Sequence, residues 1–139
     1  TYLITEDFRK LRRVLNEIMD FSGKSAREDI TDLARILFII AWIELQDFEY
    51  GEHHQKNAYQ YFLRHRYTGF YRMTIELLRG LMRQNETREQ LLIRYLADLD
   101  ALVEETGKSP FGMMELRIWA RARSRGVPLR KVFQEMIEK

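Results

Sequence analysis

Apolar residues recur along this chain at three- and four-residue steps, and glycine, proline, serine or threonine interrupts them at intervals. The most apolar stretch is 33–45, LARILFIIAWIEL, and both of its flanks keep the same helical period. The spacing therefore predicts one helix over about 26–50. Ile30, Leu33, Leu37, Ile40, Glu44 and Phe48 mark one face, while Ile36, Phe38, Ile39, Trp42 and Ile43 make the remaining sides apolar. A helix that is apolar all round belongs in the middle of a fold. Ser25 and Glu28 have the spacing of a capping box, and Gly51 is the expected stop. At 1.5 Å per residue such a helix spans about 37 Å.

The same reading sets six further helices around it. Thr5, Glu6 and Asp7 announce the first, whose stripe is Phe8, Leu11, Leu15 and Ile18, and Ser22 with Gly23 ends it. A third helix is predicted over 52–66 with Ala58, Tyr61, Phe62 and His65 turned inward, and Thr68 with Gly69 marks a break. A fourth covers 70–83, in which Gly80 costs about 1 kcal/mol against alanine and allows a close helix crossing. Asn85 or Thr87 caps a fifth over 86–105, closed by Thr106 and Gly107. Ser109 and Pro110 open a sixth that runs to Arg125. Gly126 ends it, and Pro128 opens a seventh through Ile137. No stretch alternates as a strand does, and no repeat of 20–50 residues is visible. The expected architecture is an all-α, single-domain bundle of six or seven helices packed around 26–50.

Composition narrows the class. Hydrophobic residues make up 45% of the chain, a folded composition rather than a disordered one. Between Arg35 and Glu44 only 36–43 is free of charge, far short of the ~20 residues that a membrane span needs. With no cysteine there is neither a disulfide framework nor a thiolate metal site, so an intracellular, cytoplasmic location is expected. The sequence starts at Thr1, which fits a piece excised from a longer protein.

The net charge of +2 hides an alternation by blocks: residues 25–52 carry −5, 53–84 carry +5, 85–107 carry −4 and 108–139 carry +5. Acidic and basic helices lying side by side would neutralise one another without an external partner. Two basic segments also admit a nucleic-acid reading. In 59–72, six aromatic residues interleave with Arg64, His65, Arg66 and Arg72, and Tyr67 is the ring placed to stack on a base. In 115–133, Arg117, Arg121, Arg123, Arg125, Arg130 and Lys131 offer guanidinium and ammonium groups suited to phosphate or carboxylate. A third row, Arg72, Glu76, Arg79 and Arg83, has the spacing of one helix face and suits an exposed, salt-bridged surface.

The helix–Gly126–helix spacing resembles a helix-turn-helix, although Arg121 and Arg125 fall where such a unit packs apolar side chains, so an ordinary two-helix corner is the preferred reading. The stretch 125–130, RGVPLR, also resembles a short segment of the tyrosine recombinases. Those enzymes place a histidine-bearing box just before it. Residues 115–120 hold no histidine, and no catalytic residue is carried over.

Catalytic groupings are otherwise thin. His53 and His54 beside Glu49 and Glu52 point in different directions on a helix, and the paired Glu-x-x-His units of a di-metal bundle are absent. No metal site, phosphate-binding glycine loop or cofactor is implied. Glu44 and Arg35 are the charges embedded in the apolar run, and each must meet a partner on another helix or line a ligand pocket. The first functional expectation is a non-enzymatic protein-interaction or regulatory module, within a nucleic-acid-handling assembly. The alternatives are direct nucleic-acid binding, and an enzyme or small-ligand receptor with a site near Glu44 and Arg35. Helix 111–125 is apolar on most sides, so either deep burial or an interface with a protein partner or a second copy of the chain is expected there, with Met113, Leu116 and Trp119 at that interface.

Overall fold

The computed structural model describes residues 2–21, 28–65, 69–83 and 87–138. Among them are seven helices and no strand: α1 (Phe8–Phe21), α2 (Glu28–Glu44), α3 (Phe48–His65), α4 (Gly69–Arg83), α5 (Arg88–Thr106), α6 (Met113–Arg125) and α7 (Leu129–Ile137). The fold is an all-α bundle. Each helix packs against the next in sequence, and α2 also reaches α4. Ser25, Gly23, Thr68 and Asn85, assigned above to caps and breaks, lie outside the described residues.

Helix α2 is the core. Ile36, Ile39, Ile40 and Ala41 are fully buried, and Phe38 and Ile43 nearly so. The helix is shorter than its apolar pattern suggests, 17 residues or about 25 Å, because it stops at Glu44. The stop is a Schellman motif. The Asp47 N–H donates to the Trp42 carbonyl at 3.0 Å and the Gln46 N–H to that of Ile43 at 2.9 Å. Gln46, at φ 60°, takes the left-handed position that glycine usually holds. Asp47 then starts α3, its Oδ1 accepting from the Tyr50 N–H at 3.3 Å. Gly51 does not end a helix. It lies inside α3, where an added Cβ would come within 2.9 Å of Met82 Cε.

Two other boundaries move. In the first helix Asp7, not Thr5, provides the cap, its carboxylate accepting from the Lys10 N–H at 3.3 Å. The sixth helix starts at Met113, after a turn in which the Met113 N–H bonds the Pro110 carbonyl at 3.1 Å. Gly112, at φ 89°, sets the delay, because its backbone lies directly on Leu33 of α2 and a Cβ there would be 2.6 Å from Leu33 Cδ1. At its far end Gly126 takes φ 68° and closes α6 as expected. Gly80 allows the close crossing anticipated for it, with Leu91 of α5 against its Cα.

The inward faces follow the helical period. Phe8, Leu11 and Leu15 of α1, Ala58 and Phe62 of α3, Ile75 and Leu78 of α4, and Leu92, Tyr95 and Leu99 of α5 are all buried. Exceptions are His65, exposed at the end of α3, and Ile30 and Phe48 of the predicted central helix, which are exposed as well. No described helix is long and apolar enough to cross a membrane.

Candidate functional site

The two charges embedded in α2 each find a partner on another helix. Glu44 Oε1 accepts from Arg123 Nε at 2.7 Å and Trp119 Nε1 at 2.8 Å, both on α6, and from Arg88 of α5 at 3.4 Å. Arg123 reaches on to Glu6 Oε1 at 2.5 Å, and the second oxygen of Glu6 accepts from the Leu129 N–H at 3.1 Å. Glu6 therefore closes the α7 N-terminus as well as the ion pair. Burial acts to raise the Glu6 carboxyl, but Arg123, the Leu129 N–H and Arg130 outweigh it and hold its pKa below the ordinary value. The two carboxylates likewise outweigh burial at Arg123 and raise its pKa.

Arg35 meets an aromatic ring of another helix. Its guanidinium lies 4.0 Å from the centroid of Tyr61 on α3. Burial raises the Tyr61 hydroxyl above its usual pKa, and the nearby carboxylate of Asp32 raises it further. Asp32 is fully buried in α2, and the charge reading of the sequence passed over it. Glu44 and Arg35 thus belong to separate networks tying α2 to its neighbours.

Three of the arginines expected to face phosphate face carboxylates instead. Arg117 pairs with Asp100 of α5. Arg123 is enclosed by Glu44 and Glu6. Arg125 makes a two-point contact with Glu135 of α7, at 2.7 and 3.1 Å. The alternation of charged blocks accounts for Arg117 with Asp100 and Arg123 with Glu44, which join the basic block 108–139 to acidic ones, whereas Arg125 and Glu135 share one block. Arg121 is half-buried, while Arg64, Arg130 and Lys131 are exposed. Arg66 and Tyr67 lie outside the described residues.

The residues expected at an interface are inside the chain. Trp119 and Leu116 are fully buried and Met113 is 2% exposed. Deep burial, one of the two outcomes expected for this helix, is what these three side chains show. Phe111 and Met114, at the start of α6, remain exposed.

An open basic surface lies on α4. Arg72, Glu76, Arg79 and Arg83 share one face at steps of four, three and four residues. Together with Arg94 and Asp98 of α5 they border a groove of about 400 Å³. Met73, Leu77, Gly80 and Leu91 give it apolar walls and floor, with Leu91 packed closely against Gly80. A second groove, of about 320 Å³, runs between α3 and α4 and shares Arg79 and Arg83 with the first. Between the two, the Arg79 guanidinium stacks 4.6 Å from the Tyr59 centroid and pairs with Glu76 at 3.3 Å.

The row on α4 was legible in the sequence, as was Gly80. Arg94 and Leu91 were not, since nothing local says which face of α5 meets α4. The groove's chemistry is cationic at the rim and apolar at the base. It offers no nucleophile paired with a base, and among the described residues no group of three or more His, Asp or Glu is placed to hold a metal ion.

Comparison of the chain with protein-family models, with curated proteins and with solved structures gives no match in any of the three.

Proposed function

We propose that this chain is a non-enzymatic protein-interaction module, and that the groove between α4 and α5 receives an acidic, amphipathic helical segment of a partner protein. The observation that carries the reading is the groove itself, in which four guanidinium groups and two carboxylates surround an apolar floor. Apolar side chains of a partner helix would enter the floor while its carboxylates meet the arginine rim, the helix-in-groove mode of recognition. Arginine suits this rim because its planar fork pairs with carboxylates at two points.

Direct nucleic-acid binding is less well supported by the same geometry. Glu76 and Asp98 break up the row of arginines, which suits a partner whose carboxylates are spaced apart better than a continuous phosphate backbone. Arg117, Arg123 and Arg125 hold carboxylates already.

The test uses three labelled probes: a helical peptide with glutamates at i, i+4 and i+7 and leucines on the adjoining face, a scrambled peptide of the same composition, and a single-stranded oligonucleotide. The helical peptide is expected to bind the protein, and Arg72→Glu with Arg94→Glu to weaken it by about tenfold or more, as loss of charge-assisted contacts implies. Equal binding of the scrambled peptide, or tighter binding of the oligonucleotide at ~200 mM salt, would overturn the reading.

A further inference from the structure

A smaller recess lies between α1 and the turn joining α2 to α3, lined by Arg9, Arg12, Trp42, Leu45 and Asp47, with a volume of about 220 Å³. Arg12 places its guanidinium 4.7 Å from the centroid of the Trp42 ring, so cation and indole form one stack at this recess. Tyr50 stacks on the same indole at 5.1 Å, nearly parallel, and His54 lies beside it at 6.1 Å. The rings hold Trp42 in place.

Two donors in this stack stand out. The indole N–H of Trp42 and the Nε–H of Arg12 are both buried, and neither has an acceptor among the described residues. Buried N–H groups are nearly always paired, so two unpaired donors on residues of one recess mark a place built to receive an acceptor. The Asp47 carboxylate does not fill the role. It is turned to the α3 N-terminus, where Oδ1 accepts from the Tyr50 N–H. Arg9, one helical turn before Arg12 on α1, adds a second cation at the exposed rim.

We propose that this recess binds a carboxylate group of a small ligand. One oxygen would accept from the Trp42 indole N–H and the other from Arg12, with Arg9 at the mouth. Arg9 and Arg12 against Asp47 leave one net positive charge, which a single carboxylate offsets. Leu45 gives the ligand's carbon skeleton an apolar wall. The ligand class is thus a small monocarboxylate, and this recess is separate from the groove on α4.

The chain has two tryptophans, Trp42 and Trp119, so the indole N–H signals in a nitrogen-15 correlation spectrum report the two environments separately. Trp119, held by Glu44, is the internal control. Titration with sodium acetate is expected to move the Trp42 indole signal downfield along a saturating curve and leave Trp119 still. Arg12→Gln should weaken that curve by about tenfold, the loss of one charge-assisted donor, with the Trp119 signal unchanged as proof of fold. If Arg12→Gln does not fold, Arg9→Gln, an exposed position, should still weaken binding. A linear drift matching sodium chloride at equal ionic strength would overturn the proposal. So would saturation by inorganic phosphate but not by acetate.

Discussion

Arg123 donates its Nε–H to Glu44 Oε1 at 2.7 Å, joining α6 to α2 across 79 residues of chain. The carboxylate side chain is 11% exposed and the guanidinium 17%, so the pair is largely withdrawn from water. Removing one partner leaves the other charge with too few contacts, which is costlier than never having buried the pair. Glu44→Ala also strips the acceptor from the Trp119 indole N–H. It is expected to cost about 3–5 kcal/mol in urea unfolding. Glu44→Ala with Arg123→Met should recover part of the loss, and a double variant no better than the single one would show that the charge pairing is not the cause.

Glu6 supplies an acid-sensitive clamp. Its folded pKa is depressed below 4.5 by Arg123 and the Leu129 N–H, against the opposing effect of burial. The unfolded chain therefore takes up the proton first. The contribution is fully present above about pH 4.5 and is lost as the pH falls through the folded value. Glu6→Gln should cost about 1–2 kcal/mol near neutrality and flatten the fall in stability below pH 4.5, as followed by thermal unfolding over an acid series.

His54 acts in a higher window with the same sign. Burial beside Phe38 and Trp42, and then the neighbouring His53, hold its pKa below 6.5. The folded form prefers the neutral ring, so its contribution is present above about pH 6.5 and declines as the pH drops through the folded value. The melting temperature of the native chain should fall on going from pH 7.5 to 5.5 more than that of His54→Gln. An identical slope for the two proteins would rule out this role.

Backbone geometry at two turns predicts opposite outcomes. Gln46 holds a left-handed position at φ 60° without being glycine, so Gln46→Gly should stabilise the protein by about 0.5–1 kcal/mol. Gly112→Ala should destabilise it by about 2–4 kcal/mol, because strain at φ 89° adds to a Cβ forced onto Leu33. Gly107→Ala provides the comparison. It has φ 69° and open space around it, and should cost only the strain, about 1 kcal/mol. Denaturant midpoints for the three variants check the order.

The sequence by itself determined the all-α class and the inward faces of the helices, because a 3.6-residue period reports on local geometry and on burial together. Phe8, Leu11 and Leu15, or Ile36 through Ile40, were readable as core without any partner in view. It also marked Gly107 and Gly126 as helix ends, where both take the left-handed conformation that glycine tolerates. The end of α2 was hidden, since Gln46 carries no sign that it will adopt that conformation, and the apolar pattern runs on past it. Which charge meets which was hidden too. Glu44 and Arg35 were visible as embedded charges that needed partners, but Arg123, Glu6 and Tyr61 are brought to them by helix packing between segments far apart in sequence. The same packing assigned Arg117, Arg123 and Arg125 to carboxylates, enclosed Trp119, and left the arginines of α4 facing a groove. Whether a charged side chain is spent inside the molecule or available outside it depends on its neighbours in space, and those only the tertiary structure decides.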